Sequence, residues 1–353
     1  MISYFLGANS PHGFYSLYDE LIDPETAEAV YILKGGAGCG KSTFLHRIAS
    51  AAEAAGHPVE YIRCSGDPDS LDAVVLPDQN TALVDGTAPH VVEPRLPGVV
   101  DHYINLEVCY DSAALRPMRE AIAGAMTGYQ DCYDRAYRCL AAAAEIEADR
   151  RSLLEGGPLD AKIARRLKGI LAREFRQAGG GSGKATRRFL SAVTCQGHIC
   201  QWESVQDSCR KIYELEDSCG LSHRLLAPLL SAALALGHDA VVCPSPMDPE
   251  RIEHLLFPAL GLAFVTSSPE LPFPGKAHRK IRLDAMADPD LLRRNRPRLR
   301  FGKKVSEALV EEAVASLREA KAMHDRLEAL YNPHVDFALG NAMAEELIRT
   351  LEL

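Results

Sequence analysis

The chain repeats itself, and a long internal repeat constrains the architecture before any single element is assigned. Phe5-Leu6 with Ala8 and Gly13 recurs as Phe189-Leu190 with Ala192 and Gly197, and Tyr31, Leu33 and Gly38 recur as Tyr213, Leu215 and Gly220. The order holds through Gly56-His57 and Gly237-His238, Cys64 and Cys243, Asp67-Pro68 and Asp248-Pro249, Pro77 and Pro258, and Pro89 and Pro269. Ala82 with Val84 matches Ala263 with Val265, and in the tails Leu140 and Ala143 match Leu317 and Ala320. At 353 residues the chain can fill two cores. We therefore expect residues 1–178 and 187–353 to form two α/β units, each with a helical hairpin extension. The glycine-rich stretch at 179–186 reads as a flexible linker between them.

Period and flanks fill in the first unit. Ala29 to Leu33 is a short apolar strand, and Lys41 to Ala55 a helix with Phe44, Ile48 and Ala52 on one face, stopped by Gly56. Val59 to Arg63, Ala82 to Val84 and Asp101 to Leu106 read as further strands, with Asp69 to Leu76 as a connecting segment. Strands alternating with helices predict a parallel sheet in each unit. After Asp111, and again after Lys303, strand signals give way to helical stripes such as Val310, Val314, Leu317, Leu327 and Leu330, which belong to a core.

Between the first strand and the first helix lies Gly35-Gly36-Ala37-Gly38-Cys39-Gly40-Lys41-Ser42-Thr43, which fits the Walker A pattern GxxxxGK[ST] in the strand–loop–helix context it requires. Glycines let successive N–H groups turn inward around phosphates, and the helix N-terminus adds partial positive charge. Lys41 is expected to reach the terminal phosphates of a nucleoside triphosphate and Ser42 to ligate Mg²⁺. A second metal contact is expected from Asp85, at the end of Thr81-Ala-Leu-Val-Asp85, with a turn-forming role in Asp85-Gly86 as its plain alternative. Gly86 stands where many ATPases carry a water-activating Glu, so fast hydrolysis is not expected. No Asn-Lys-x-Asp motif is present, which favours ATP over GTP.

Other acids near the strand ends are Asp67, Asp69, Glu93 and Glu107, and Asp67 or Asp69 can either bind substrate or cap a helix. His90 can bind phosphate or finish a loop. The run Ala178 to Ala185 imitates a phosphate loop, but alanines occupy its first-Gly and Ser/Thr positions and a helical segment precedes it. In the second unit Gly35 aligns with Asp217, Gly40 with Ser222, Lys41 with His223, Ser42 with Arg224 and Asp85 with Thr266. An acid at the loop entrance repels phosphate, so this copy reads as degenerate, with Arg224 as a candidate arginine finger across the interface.

The net charge of −9 argues against a broad nucleic-acid-binding face, and Arg293 to Lys304 reads as a solvated patch. No apolar run approaches the roughly 18 residues of a membrane span, and the N-terminus lacks a signal peptide's basic start and long apolar stretch. A cytoplasmic protein with no membrane partner is the expectation. The ten cysteines then read as reduced thiols. Cys195, His198, Cys200 and Cys209 cluster in sequence but fit no usual zinc spacing.

Together FLGANSPHGF, VYILKGGAGCGKST, CSGDPDSLD, VDGTAPHVVEP and LPGVVDHYINL look like a family of bacterial tandem P-loop ATPase-like proteins, a resemblance spanning nearly the whole chain. It implies two P-loop NTPase-type domains with helical insertions and phosphate binding at Gly35, Gly38, Gly40, Lys41 and Ser42. It names no substrate or partner. Family members often keep a phosphate loop in the second half as well, so the sequence at Asp217 to Arg224 departs from the pattern. Three activities follow: an ATPase depending on Lys41 and Mg²⁺, a small-molecule phosphotransferase, and a non-catalytic nucleotide sensor.

Overall fold

The computed structural model describes residues 1–154, 158–178 and 181–353, so positions 179–180 of the expected linker lie outside it. The first half runs β1 (Ile2–Tyr4), β2 (Gly7–Ser10), β3 (Gly13–Ser16), β4 (Ala29–Lys34), α1 (Lys41–Ala55), β5 (Glu60–Arg63), β6 (Leu71–Leu76), β7 (Thr81–Asp85), β8 (Asp101–Asn105), α2 (Ser112–Leu115), α3 (Arg119–Ser152) and α4 (Leu159–Glu174). The second runs β9 (Ala185–Arg187), β10 (Ser191–Thr194), β11 (Gly197–Cys200), α5 (Trp202–Ser208), β12 (Lys211–Glu216), α6 (Ser222–Ala235), β13 (Ala240–Ser245), β14 (Asp248–Phe257), β15 (Leu262–Ser267), β16 (Arg279–Arg282), α7 (Pro289–Tyr331) and α8 (Phe337–Thr350). Two six-stranded sheets result, β1-β5-β6-β7-β4-β8 and β9-β13-β14-β15-β12-β16, the second reproducing the first strand for strand. The register agrees with the repeat: Leu33 faces Asp85 and Leu215 faces Thr266.

The sheets are mixed, which corrects the expectation of parallel ones. The segment expected to connect β5 and β7 is itself strand β6, antiparallel to both neighbours. A parallel neighbour needs a crossover of about a dozen residues or more. Cys64 to Ser70 is shorter than that, so the chain turns straight back. The second unit does the same at β13–β14–β15.

Alternation along the strands places two cores. Leu33, Tyr61, Val74 and Leu83 join α1 residues Phe44, Leu45 and Ile48 on one face of the first sheet. Ile32, Ile62, Ala73 and Val84 face the other way, into a core that also holds Phe189, Leu190, Val205, Leu256 and Val265 of the second half. The two units thus share one interior. At its centre repeat-equivalent residues meet, Phe5 and Phe189 exchanging two backbone hydrogen bonds of 2.9 Å, as expected near a pseudo-twofold axis.

The halves also exchange helices. From the first half, α4 contributes Leu159, Ile163 and Ile170 to the core around Leu225 and Leu229 of α6 in the second. From the second half, α8 places Ala344 and Leu347 against α1 in the first. The long helices α3 and α7 run antiparallel: Cys132 lies beside Met323, Arg135 bonds to Ser316, and Arg298 pairs with Asp149. Each half's terminal helix therefore lies on the other half's sheet, and the sequence repeat is not the packing unit.

The linker expectation is corrected where it is described. Gly183 N–H donates to Leu234 O at 2.9 Å and Lys184 N–H to Asp239 at 2.6 Å, after which β9 pairs with β13. A Cβ on Gly183 would lie 2.2 Å from His238 O, so that glycine permits close backbone approach rather than freedom. The basic stretch Arg293 to Lys304 lies on α7, largely exposed, with Arg293 paired to Asp290 and Lys303 to Glu270. No described helix is long and apolar enough to cross a membrane.

Candidate functional site

The loop Gly35 to Gly40 leaves the end of β4 beside β7 and opens directly into α1 at Lys41. Gly38 and Gly40 have φ of 70° and 89°, the left-handed region that costs glycine nothing. Among the described residues no side chain caps α1. Its first N–H groups have no intrahelical acceptor by helix geometry, and none of the N–H groups of Gly36 to Gly40 donates to a backbone carbonyl among the described residues.

Lys41 folds back over this cradle. Its Nζ donates to Gly35 O at 2.7 Å and Gly36 O at 2.8 Å and stands 3.6 Å from Asp85 Oδ2. Asp85 Oδ1 accepts from Thr87 N–H and Oγ at 2.9 and 2.6 Å, and Ser42 Oγ accepts from Leu71 N–H at 3.1 Å. Lys41, Ser42 and Asp85 therefore sit around one loop. Asp85 is both a turn-former, as its plain reading had it, and an acid facing the loop lysine. Cys39 points inward, its thiol pushed up by burial. Thr43 is exposed on α1.

The second unit makes the same turn with a different filling. Gly220 has φ of 71°, matching Gly38. The Asp217 carboxylate, at the position of Gly35, accepts from Cys219 N–H at 3.0 Å and Ser222 N–H at 2.6 Å. The loop's own anion holds the N–H groups that an external anion would need. Burial nonetheless pushes the Asp217 carboxyl upward against those backbone bonds. His223, at the lysine position, accepts from Ile252 N–H through Nδ1 at 2.9 Å. Arg224 pairs with Asp160 of α4 at 2.5 Å on the second unit, so it is not directed at the first loop as an arginine finger. Replacing Asp217 with alanine strands two N–H groups and is expected to cost about 1–3 kcal/mol in a denaturation midpoint measurement.

Behind Asp85 lies a buried polar group that sequence reading touched only at His90. Its Nδ1–H donates to Asp85 O at 2.9 Å, its Nε2 is 3.5 Å from Asp72 Oδ1, and Tyr18 Oη donates to Asp72 Oδ2 at 2.8 Å. His90 finishes the Asp85 loop from within. Burial works against its charge, but the Asp72 carboxylate overcomes that and raises it to about 9. Burial likewise works against charge on Asp72, yet His90 and the Tyr18 hydroxyl hold it below its ordinary value. Asp72 was legible only as a lone acid inside an apolar run.

The sign of the resulting pH effect follows. With His90 raised above its ordinary value near 6.5, its contribution is complete below that pH and lost as pH climbs through about 9. Stability is expected to fall by on the order of 2 kcal/mol between pH 6.5 and 9.5. Denaturation midpoints of the wild type and His90→Gln check this, since the variant should lack the decline.

Three of the remaining four acids are engaged. Asp67 accepts from Ser70 Oγ at 3.0 Å and pairs with Lys321, Asp69 accepts from Gln196, and Glu93 pairs with Lys34. Glu107 is exposed beside Asn105. Cys195 and Cys209 lie in different cores, and among the described residues the one close set of three metal-capable side chains is His324, Asp325 and Glu328 on the surface of α7.

The second half also supplies part of the first loop's wall, which no local motif announced. Tyr110 of the first half donates through Oη to Ala37 O at 2.9 Å, and its ring meets Tyr331 of the second half at 5.3 Å. With its amide nitrogen toward the loop, Asn332 donates to Gly38 O at 3.1 Å and Glu328 O at 3.2 Å. A Cβ on Gly38 would lie 2.5 Å from that amide, and Phe337 packs beside Gly40. At the matching place Arg151 of α3 lies over Gly220. No family model, curated protein or solved structure matches this chain.

Proposed function

We propose that Gly35 to Thr43 is a Walker A loop and that the protein is an ATP-binding, Mg-dependent ATPase of the P-loop NTPase superfamily, with a degenerate second copy. The observation that carries this reading is the pair of loops. The same turn, at the same register of two equivalent sheets, is satisfied by the Asp217 carboxylate in one half and presents unclaimed N–H groups with a lysine in the other. An anion is the missing partner, and a helix N-terminus with Lys41 suits a polyphosphate.

In that reading Lys41 leaves the Gly35 and Gly36 carbonyls for the terminal phosphates, and the Ser42 hydroxyl and Asp85 carboxylate hold Mg²⁺. When bound, the metal offsets charge on the phosphate oxygens. Thr87 keeps Asp85 oriented through two hydrogen bonds, and His90 fixes the backbone that carries it. Ten unpaired cysteines suit a reducing cytoplasm, where Mg-ATP is abundant.

Among the described residues no free carboxylate stands next to Asp85: Gly86 follows it, and Asp72 is tied to His90 and Tyr18. That favours slow hydrolysis and motivates the alternative of a small-molecule phosphotransferase. The Asn332 contact on Gly38 motivates the other, a nucleotide sensor. Phosphate release from Mg-ATP by the wild type and Asp85→Asn separates them. Slow, Mg-dependent release lost in the variant supports the ATPase; nucleotide binding with no release moves the reading to phosphotransfer or sensing.

A further inference from the structure

Helix α4 carries a cationic face along the flank of the apolar stripe that buries it. Lys162, Arg165, Arg166, Gly169 and Arg173 recur at helical spacing beside Leu159, Ile163 and Ile170, the residues packed against α6. Between this face and Met286, in the short turn Asp284–Met286 of the second half, lies an open groove of about 390 Å³. That is within the roughly 300–1,000 Å³ of sites that take small molecules.

Four cations line the groove, together with Gly169 and Met286, and no carboxylate does. The two acids of α4 stand at its ends and are engaged elsewhere. Asp160 pairs with Arg224 at 2.5 Å, and Glu174, beside Arg173, takes Lys211 at 2.6 Å and the Tyr213 hydroxyl at 2.5 Å. Asp284, in the turn that carries Met286, accepts from Ser218. Lys162 donates to Met286 O at 3.0 Å. Arg165 and Arg166 are exposed, and among the described residues neither forms an ion pair.

Gly169 is a second, independent sign. A glycine inside a helix is destabilising, and no packing demands this one: a Cβ there would meet only Arg173 Nη1, at 3.4 Å. Its effect is to leave the groove open between Arg166 and Arg173. Helix α8, which lies on the first sheet as α4 lies on the second, carries Glu345, Glu346 and the single cation Arg349, so the basic face is particular to α4.

We propose that this groove is a binding site for a free polyphosphate anion, a small molecule with three or more phosphates in a row, separate from the Gly35–Thr43 loop. From Lys162 to Arg173 the cations extend about 16 Å along the helix, further than one phosphate reaches, and arginine forks suit phosphate oxygens. No aromatic side chain lines the groove to stack on a base. A nucleic acid calls for a wider basic surface, about 600–1,000 Å² even for a single module, whereas this face is local on a chain of net charge −9.

The experiment is a calorimetric titration of full-length Lys41→Ala protein, whose first loop is weakened, with tripolyphosphate, and in parallel with orthophosphate and a single-stranded oligonucleotide. The expected result is saturable binding of tripolyphosphate, at least tenfold tighter than of orthophosphate. Changing the exposed pair together, Arg165→Gln with Arg166→Gln, should weaken it at least tenfold. Gly169→Leu fills the groove and should weaken it as much without lowering the thermal midpoint, which a purely structural role for the glycine does not predict. Parental affinity in the folded arginine variant would place the probe elsewhere, at the Gly35–Thr43 loop for example, and overturn the proposal. Absence of tripolyphosphate binding, with or without binding of the oligonucleotide, overturns it as well.

Discussion

Replacing Lys41 with alanine is expected to weaken Mg-ATP binding by roughly 10- to 100-fold, the range for losing a hydrogen-bonded charge. Lys41 is the one residue of the loop that cannot be replaced by geometry: the glycines shape the cradle, but the lysine supplies its formal charge. Its resting contacts are two carbonyls and Asp85, so the variant loses those contacts while the hydrophobic cores stay intact. Equilibrium binding with a fluorescent ATP analogue, alongside circular dichroism, checks this. Unchanged affinity in a folded variant would remove the loop from the account.

The second large effect concerns the joint between the halves. Arg188 is buried, and its guanidinium donates to Glu60 at 2.6 Å, to Glu20 O at 2.7 Å and to Leu21 O at 3.0 Å, all in the first half. Removing one partner of a buried ion pair costs about 3–5 kcal/mol because the other is left unpaired. Arg188→Met is therefore expected to lower stability by about that much in a urea titration. Arg188→Met with Glu60→Leu should recover part of the loss, since no charge is then stranded. An Arg188→Met change under about 1 kcal/mol, the size of an exposed pair, would show that the joint does not depend on it.

The repeat was readable because it is carried by residues with few substitutes: glycines with positive φ at matching turns, such as Gly38 and Gly220, and phenylalanines meeting near the axis. The Gly35 to Thr43 loop was readable for the same reason. The sheet's inverted strand was not, because Leu71 to Leu76 is as apolar as a parallel strand and only the length of its connections reveals its direction. The helix exchange was invisible because an amphipathic stripe on α4 or α8 says that a face is buried, not against which sheet. Tyr110, Glu328 and Asn332 were missed for the related reason that they meet the loop across long stretches of sequence. Asp217 was legible as a loss, but its carboxylate as the loop's internal anion needed coordinates.

The most direct test of the central claim is the stoichiometry of Mg-ATP binding by equilibrium dialysis of the full chain. The account predicts one nucleotide per chain, bound roughly 10- to 100-fold more weakly in Lys41→Ala and kept in Asp217→Asn. Two nucleotides per chain would show that the Asp217 loop also takes phosphate, and none would contradict the reading of the Gly35–Thr43 loop itself.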